Sequence, residues 1–340
     1  MKFPRGQFAI LISLFCVSSL PAWADPGYRL VPLDDGSAFT SASDLNRRGE
    51  VVGMRTVAGR THAFRWHAGT FTDLHDAIDP ASFYTQASAI NDFSTIVGNK
   101  ATDFFQGVLL RGGQVSLITV NGGSEVFPID INDREQTVVE AGNGSYLLDG
   151  ANVQALAGLP GEAEPTHAVD INERGVIAGN TFTSTGSRAV LWQDGAVMDL
   201  GVVAGSSASF AYALNDRTQM VGIVSIGSAS HAMRWSDGVM TLLPRLSPGE
   251  AGSSASSINN WGAIVGGATI SQPQFHQTAT LWFGNHVVEL DSLVRADDPL
   301  KPFVHLLSAL QINDRGDIVV LGVDSRTNAR IVYFMTLFGP

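Results

Sequence analysis

The sequence predicts an all-β chain: a seven-bladed β-propeller of four-stranded antiparallel blades, the last blade closed by the N-terminal strand. Three observations predict it. A Leu/Ile-Asn pair recurs seven times, at Asn46, Asn91, Asn132, Asn172, Asn215, Asn259 and Asn313. Each pair is followed by the same succession of short apolar runs divided by turn residues. The chain also stops one strand short of a full unit, while its start carries a spare run, Tyr28 to Leu33, ahead of the first anchor. A repeat of this period argues for units that bury their faces against one another, and a strand missing at one end and spare at the other argues for a ring rather than an open stack.

The unit can be followed in order from Arg188 to Ser225. Arg188 to Trp192 reads as a strand, and Asp194-Gly195 is a two-residue hairpin signal because both positions tolerate positive φ. Val197 to Leu200 closes one unit, and Tyr212 to Leu214 opens the next. The turn after each anchor needs a type I turn and a left-handed residue. Gly supplies that residue at Gly49, Gly175, Gly262 and Gly316. Ser94, Glu135 and Thr218 replace it, so those turns are expected to be looser or strained. The second strand follows, as in Val176-Ile177-Ala178-Gly179. Ala stands four residues before most anchors and Gly seven after, and hairpin geometry sets the two opposite each other, either to relieve crowding at the inner edge or to make room for a tryptophan. Trp66, Trp192, Trp235 and Trp282 hold a fixed register in the third strand, which points to the core rather than to a ligand. Units two and three lack this Trp and have Leu110 and Leu148 there.

Lys2 and Arg5, the apolar run from Phe8 to Val17 and Ala22-Trp23-Ala24 form the three regions of a secretory leader. Residues 1–24 are therefore expected to be a signal peptide and 25–340 a single propeller domain, exported to the periplasm or secreted. The one cysteine, Cys16, lies in that leader, so the rest of the chain has no thiol for disulfides or metal. A formal net charge of −11 disfavours phosphate backbones and anionic lipid, which excludes nucleic acid as an expected partner. No later run is long enough for a membrane-spanning helix. A monomer is expected.

His62-Ala63-Phe64, Trp192-x-Asp194-Gly195 with Met198-Asp199-Leu200-Gly201, and the Ile/Leu-Asn-x-x-Gly-x-Ile-Val-Gly runs resemble the HAF-repeat family of bacterial extracellular repeat proteins. The resemblance covers nearly the whole chain after the leader. It implies an exported bacterial repeat protein and carries over no catalytic residue.

The recurring Asn reads as an Asx turn cap rather than as a ring of ligands around a channel. Asp130 and Asp170, two residues before their anchors, lack the dense carboxylate spacing of a calcium loop, and neither metal nor cofactor is expected. No nucleophile-elbow, zinc-protease or phosphate-loop motif occurs. Chain reversal sends the first-to-second and third-to-fourth turns to one end of the ring. The second-to-third loops and blade-to-blade links go to the other, and that second set is expected to be long, varied and aromatic. Loops on a rigid ring are where binding residues sit. Tyr84, Phe105, Phe182, Phe275 and His276 are thus the expected binding residues, for a protein or glycan ligand, with no catalytic residue assigned. The rival is a hydrolase or lyase acting on an extracellular polymer at the axial mouth, using loop carboxylates and His276 or His305.

Overall fold

The computed structural model describes residues 27–33, 39–162, 165–272 and 274–337; the expected leader lies outside these. Seven four-stranded antiparallel blades follow one another around an axis. Blade four runs Thr166–Ile171, Ile177–Thr183, Gly186–Gln193 and Ala196–Asp199 from the axis outward. Blades one and two are joined as well by one parallel bridge, Thr61 to Tyr84. The closing blade takes Val304–Ile312, Ile318–Asp324 and Ala329–Leu337 from the end of the chain and Tyr28–Pro32 from its start. Leu30 pairs with Met335 and Val31 with Phe334, so the N-terminal strand completes the ring.

A four-stranded sheet has two faces to bury, and each blade buries them against its two neighbours. The described residues accordingly form seven apolar clusters, one for each gap between blades. The gap between blades seven and one holds Trp66 against Phe334, ring centres 5.0 Å apart. All four third-strand tryptophans are buried. Trp192 and Trp282 also donate their indole N–H to the links behind them, at Ala157 and Pro244, 2.7 and 2.8 Å away. The Ala three residues before each Trp is pressed flat against the next blade. There Ala63, Ala189 and Ala232 donate their backbone N–H to Thr85, Ser209 and Ser253.

The Ala–Gly pairing has a backbone cause. Every inner strand carries a β-bulge just before its anchor, as between Ala211 and Ala213. The bulge turns the preceding carbonyl toward the second strand, and a Cβ on Gly53, Gly98, Gly222 or Gly266 would lie 2.0 Å from that oxygen. At Gly179 the Trp192 ring crowds the same spot, at 2.6 Å. Both expected reasons therefore operate, the carbonyl in each of these blades and the tryptophan in blade four.

Of the two outcomes expected for the anchor turns without glycine, strain is the one found, and one further expectation needs correction. The anchor turns with Ser94, Glu135 and Thr218 are no looser than the glycine ones, since their N–H closes on the anchor carbonyl at 3.0 Å in each case. The strain instead sits in the backbone, at φ of 62°, 61° and 58°. The second-to-third connections are not uniformly long either. Blades one, three, four and five make them with two residues, such as Ala58-Gly59 and Ser184-Thr185, and the length at that end of the ring comes mainly from the blade links.

Candidate functional site

The axis of the ring is built from three consecutive positions of the repeat. At the anchor, the side-chain oxygen of Asn172 accepts the N–H groups of Arg174 and Val176, both at 3.0 Å, which caps its own turn. Its amide nitrogen has a different partner, the backbone carbonyl of Asn215 in the next blade at 3.0 Å. The same bond joins Asn46 to Asn91, Asn91 to Asn132, Asn132 to Asn172, Asn215 to Asn259, Asn259 to Asn313 and Asn313 back to Asn46. The sequence reading found the cap and missed this circumferential ring.

One residue further on, a second girdle forms. Arg47 donates its backbone N–H to Asp92, Asp92 to Asp133, Asp133 to Glu173, Glu173 to Asp216, Asp216 to Asn260 and Asn260 to Asp314. Arg47 is no acceptor and cannot continue the pattern. Its guanidinium instead reaches over the mouth to Asp314 and Asp216, both at 2.9 Å. These side chains enclose a cup of about 160 Å³ at the turn end of the axis, floored by the Leu/Ile residues that precede the anchors. Burial raises the Asp92 and Glu173 carboxyls above the ordinary range. Burial alone would lower Arg47, but Asp314, Asp92 and Asp216 hold it up. The carboxylates are thus already engaged by backbone amides and by an arginine of the same chain.

Two residues before the anchor, Asp44, Asp130 and Asp170 act as straps. Asp44 accepts the N–H of Leu45 in its own blade at 2.7 Å and that of Ile90 in the next at 2.8 Å. Asp130 does the same with Ile131 and Ile171, and Asp170 reaches Leu214 at 2.6 Å. Burial, with the other carboxyls nearby, pushes Asp44 up to about 7, Asp130 well above the usual range and Asp170 up to about 6. After burial, the neighbouring Asp170 carboxyl is the next cause that raises Asp130. The sequence reading singled out Asp130 and Asp170 but not Asp44, which holds the same register. No group of three or more His, Cys, Asp or Glu among the described residues is disposed to hold a metal ion.

The expected binding residues all lie at the link end, in three separate places. Tyr84 meets Phe105 edge to face at 5.3 Å, and Phe105 meets Phe127 at 5.7 Å, across blades two and three. Phe182 packs on His167 at 5.6 Å in blade four. Phe275 and His276 sit in blade six, where His276 is 6.4 Å from His305. No ring contact joins these three groups among the described residues. His305 has Nδ1 on Asp291 at 2.6 Å and Nε2 on the Gln277 carbonyl at 2.8 Å. The Asp291 hydrogen bond raises its pKa. An imidazole that donates from both nitrogens has no lone pair with which to act as a general base.

No protein-family model matches the chain, and no curated protein does. Solved structures match in fold. The β-propeller domain of the Trilobed protease from Pyrococcus furiosus has a TM-score of 0.56 at 9% identity, over 88% of this chain and 94% of that one. A structure from a study of two prolyl endopeptidases has a TM-score of 0.56 at 9% identity, over all of this chain and 53% of its own length. At that identity the likeness shows the fold alone, and the class that fold and topology define is the β-propeller.

Proposed function

We propose that the chain is an exported, non-catalytic binding module of the HAF-repeat kind that engages a protein partner through its link face. One observation carries the reading: Phe39, Phe83, Phe104, Phe127, Phe182, Phe275 and Phe303 are all at least 37% exposed, and all lie at the link ends of their strands. Among the described residues the turn face has Phe93 alone as an exposed phenylalanine. Aromatic side chains left in water on one side of a rigid ring are what a protein interface buries. Phenylalanine has no polar handle with which to recognise sugar hydroxyls, which favours protein over glycan. The axial carboxyls and His305 support the non-catalytic reading, because the carboxyls accept backbone N–H groups and both His305 nitrogens are engaged by Asp291 and the Gln277 carbonyl.

The test is a quantitative pull-down from the exported fraction with the wild type, with a rim variant carrying Phe83→Ser, Phe104→Ser and Phe182→Ser, and with Phe93→Ser as the turn-face control. A protein retained by the wild type and the control but reduced at least tenfold by the rim variant supports the reading. Equal retention by all three, or retention of glycan alone, contradicts it.

A further inference from the structure

The link face also holds a second pocket, of about 390 Å³, between the second-to-third turn of blade five, blade six and the inner strand of blade seven. That volume is in the range of small-molecule sites. Its cause is local. Blades six and seven each have a second bulge in the inner strand, between Glu250 and Gly252 and between Leu306 and Ser308. No other inner strand among the described residues has two. Extra bulges re-aim strand ends and gather at functional sites.

The chemistry of the wall is uniform. Ser230, Ser254, Thr269, Gln277 and Ser308 present hydroxyls and an amide, the other lining residues are small or aliphatic, and none is ionisable.

We propose that this pocket is a binding site for an uncharged, hydroxyl-rich ligand of one or two sugar rings. A charged ligand would lose its hydration and find no counter-charge. An apolar ligand would strand the wall hydroxyls, whereas a neutral polyol exchanges donor for donor and acceptor for acceptor with groups that rotate freely. The pocket is independent of the phenylalanine rim, so failure of either reading leaves the other standing.

The test is calorimetric titration of the full chain with glucose, galactose, maltose and lactose, and with glucuronic acid and glucosamine as charged comparators. At least one neutral sugar is expected to bind more tightly than both charged ones. Ala251→Trp, at the exposed edge of the pocket, is expected to weaken that binding at least tenfold without changing the melting temperature. If it does lower the melting temperature, Gln277→Leu, also at an exposed position, decides through the same loss of affinity. Absence of binding, preference for a charged sugar, or unchanged affinity in the deciding variant overturns the proposal.

Discussion

The side-chain amide of Asn313 donates to the carbonyl of Asn46 at 3.0 Å, across 267 positions of sequence. It is the last link in a circle of seven bonds, and each asparagine in that circle holds its own turn with one atom and its neighbour with another. This double duty separates the residue from other turn formers. Aspartate would cap the turn equally well but could not donate around the ring.

Asn172→Asp therefore distinguishes the two roles. It keeps the acceptor for Arg174 and Val176 and sets a carboxylate oxygen against the Asn215 carbonyl. At neutral pH the expected loss is about 2–4 kcal/mol, measured by urea unfolding, from one missing bond and one stranded buried acceptor. Below about pH 4 a protonated Asp can donate again, and the loss should shrink. A simple turn cap would tolerate the change at any pH.

Gly98→Ala places a Cβ 2.0 Å from the Gln86 carbonyl. The clash is with backbone in the tightest part of the blade, and unfolding should show a loss of about 1–3 kcal/mol or more. Gly59→Ala, in open space at φ +80°, carries only the backbone penalty, of about 1 kcal/mol. The order of the two values is the expectation.

The axial carboxyls fix the sign of the pH dependence. Asp44 and Asp170 titrate in the folded ring at about 7 and about 6, above their ordinary value. Their contribution to stability is thus fully present below about pH 4 and is lost as pH rises through those values. His305, also raised, adds stability below its ordinary range that is lost as pH climbs past its folded value. In urea unfolding over pH 4 to 8 the contribution of these groups should fall as pH rises, against the opposite contribution of His75, which burial lowers. Asp44→Asn should reduce that slope, by at most about 1.4 kcal/mol per pH unit. An unchanged slope would mean that Asp44 is not protonated in the folded ring.

How much of this was legible depends on whether a contact lies within one repeat or between two. The Asn cap, the Ala42–Gly53 pairing and the tryptophan register repeat within a blade, so their spacing exposes them. The bond from Asn46 to the Asn91 carbonyl runs between blades and leaves no mark on spacing. The girdle did leave one: five of the seven residues that follow the anchors are acidic, at Asp92, Asp133, Glu173, Asp216 and Asp314. That pattern was readable, but its meaning depends on the circle that brings those positions together. The pocket between blades five and seven arises from bulges, which single residues do not announce.

The division of the molecule into a turn face and a link face depends on closure by the N-terminal strand. Arg29 and Thr336 are directly paired across that seam, and with Cys16, the only natural cysteine, replaced by serine, Arg29→Cys and Thr336→Cys make the seam testable by one oxidation. In the folded protein the two thiols should form a disulfide, seen as a mobility shift without reductant, and unfolding should then require about 2–5 kcal/mol more. Free thiols in the folded protein after oxidation would contradict the closed ring.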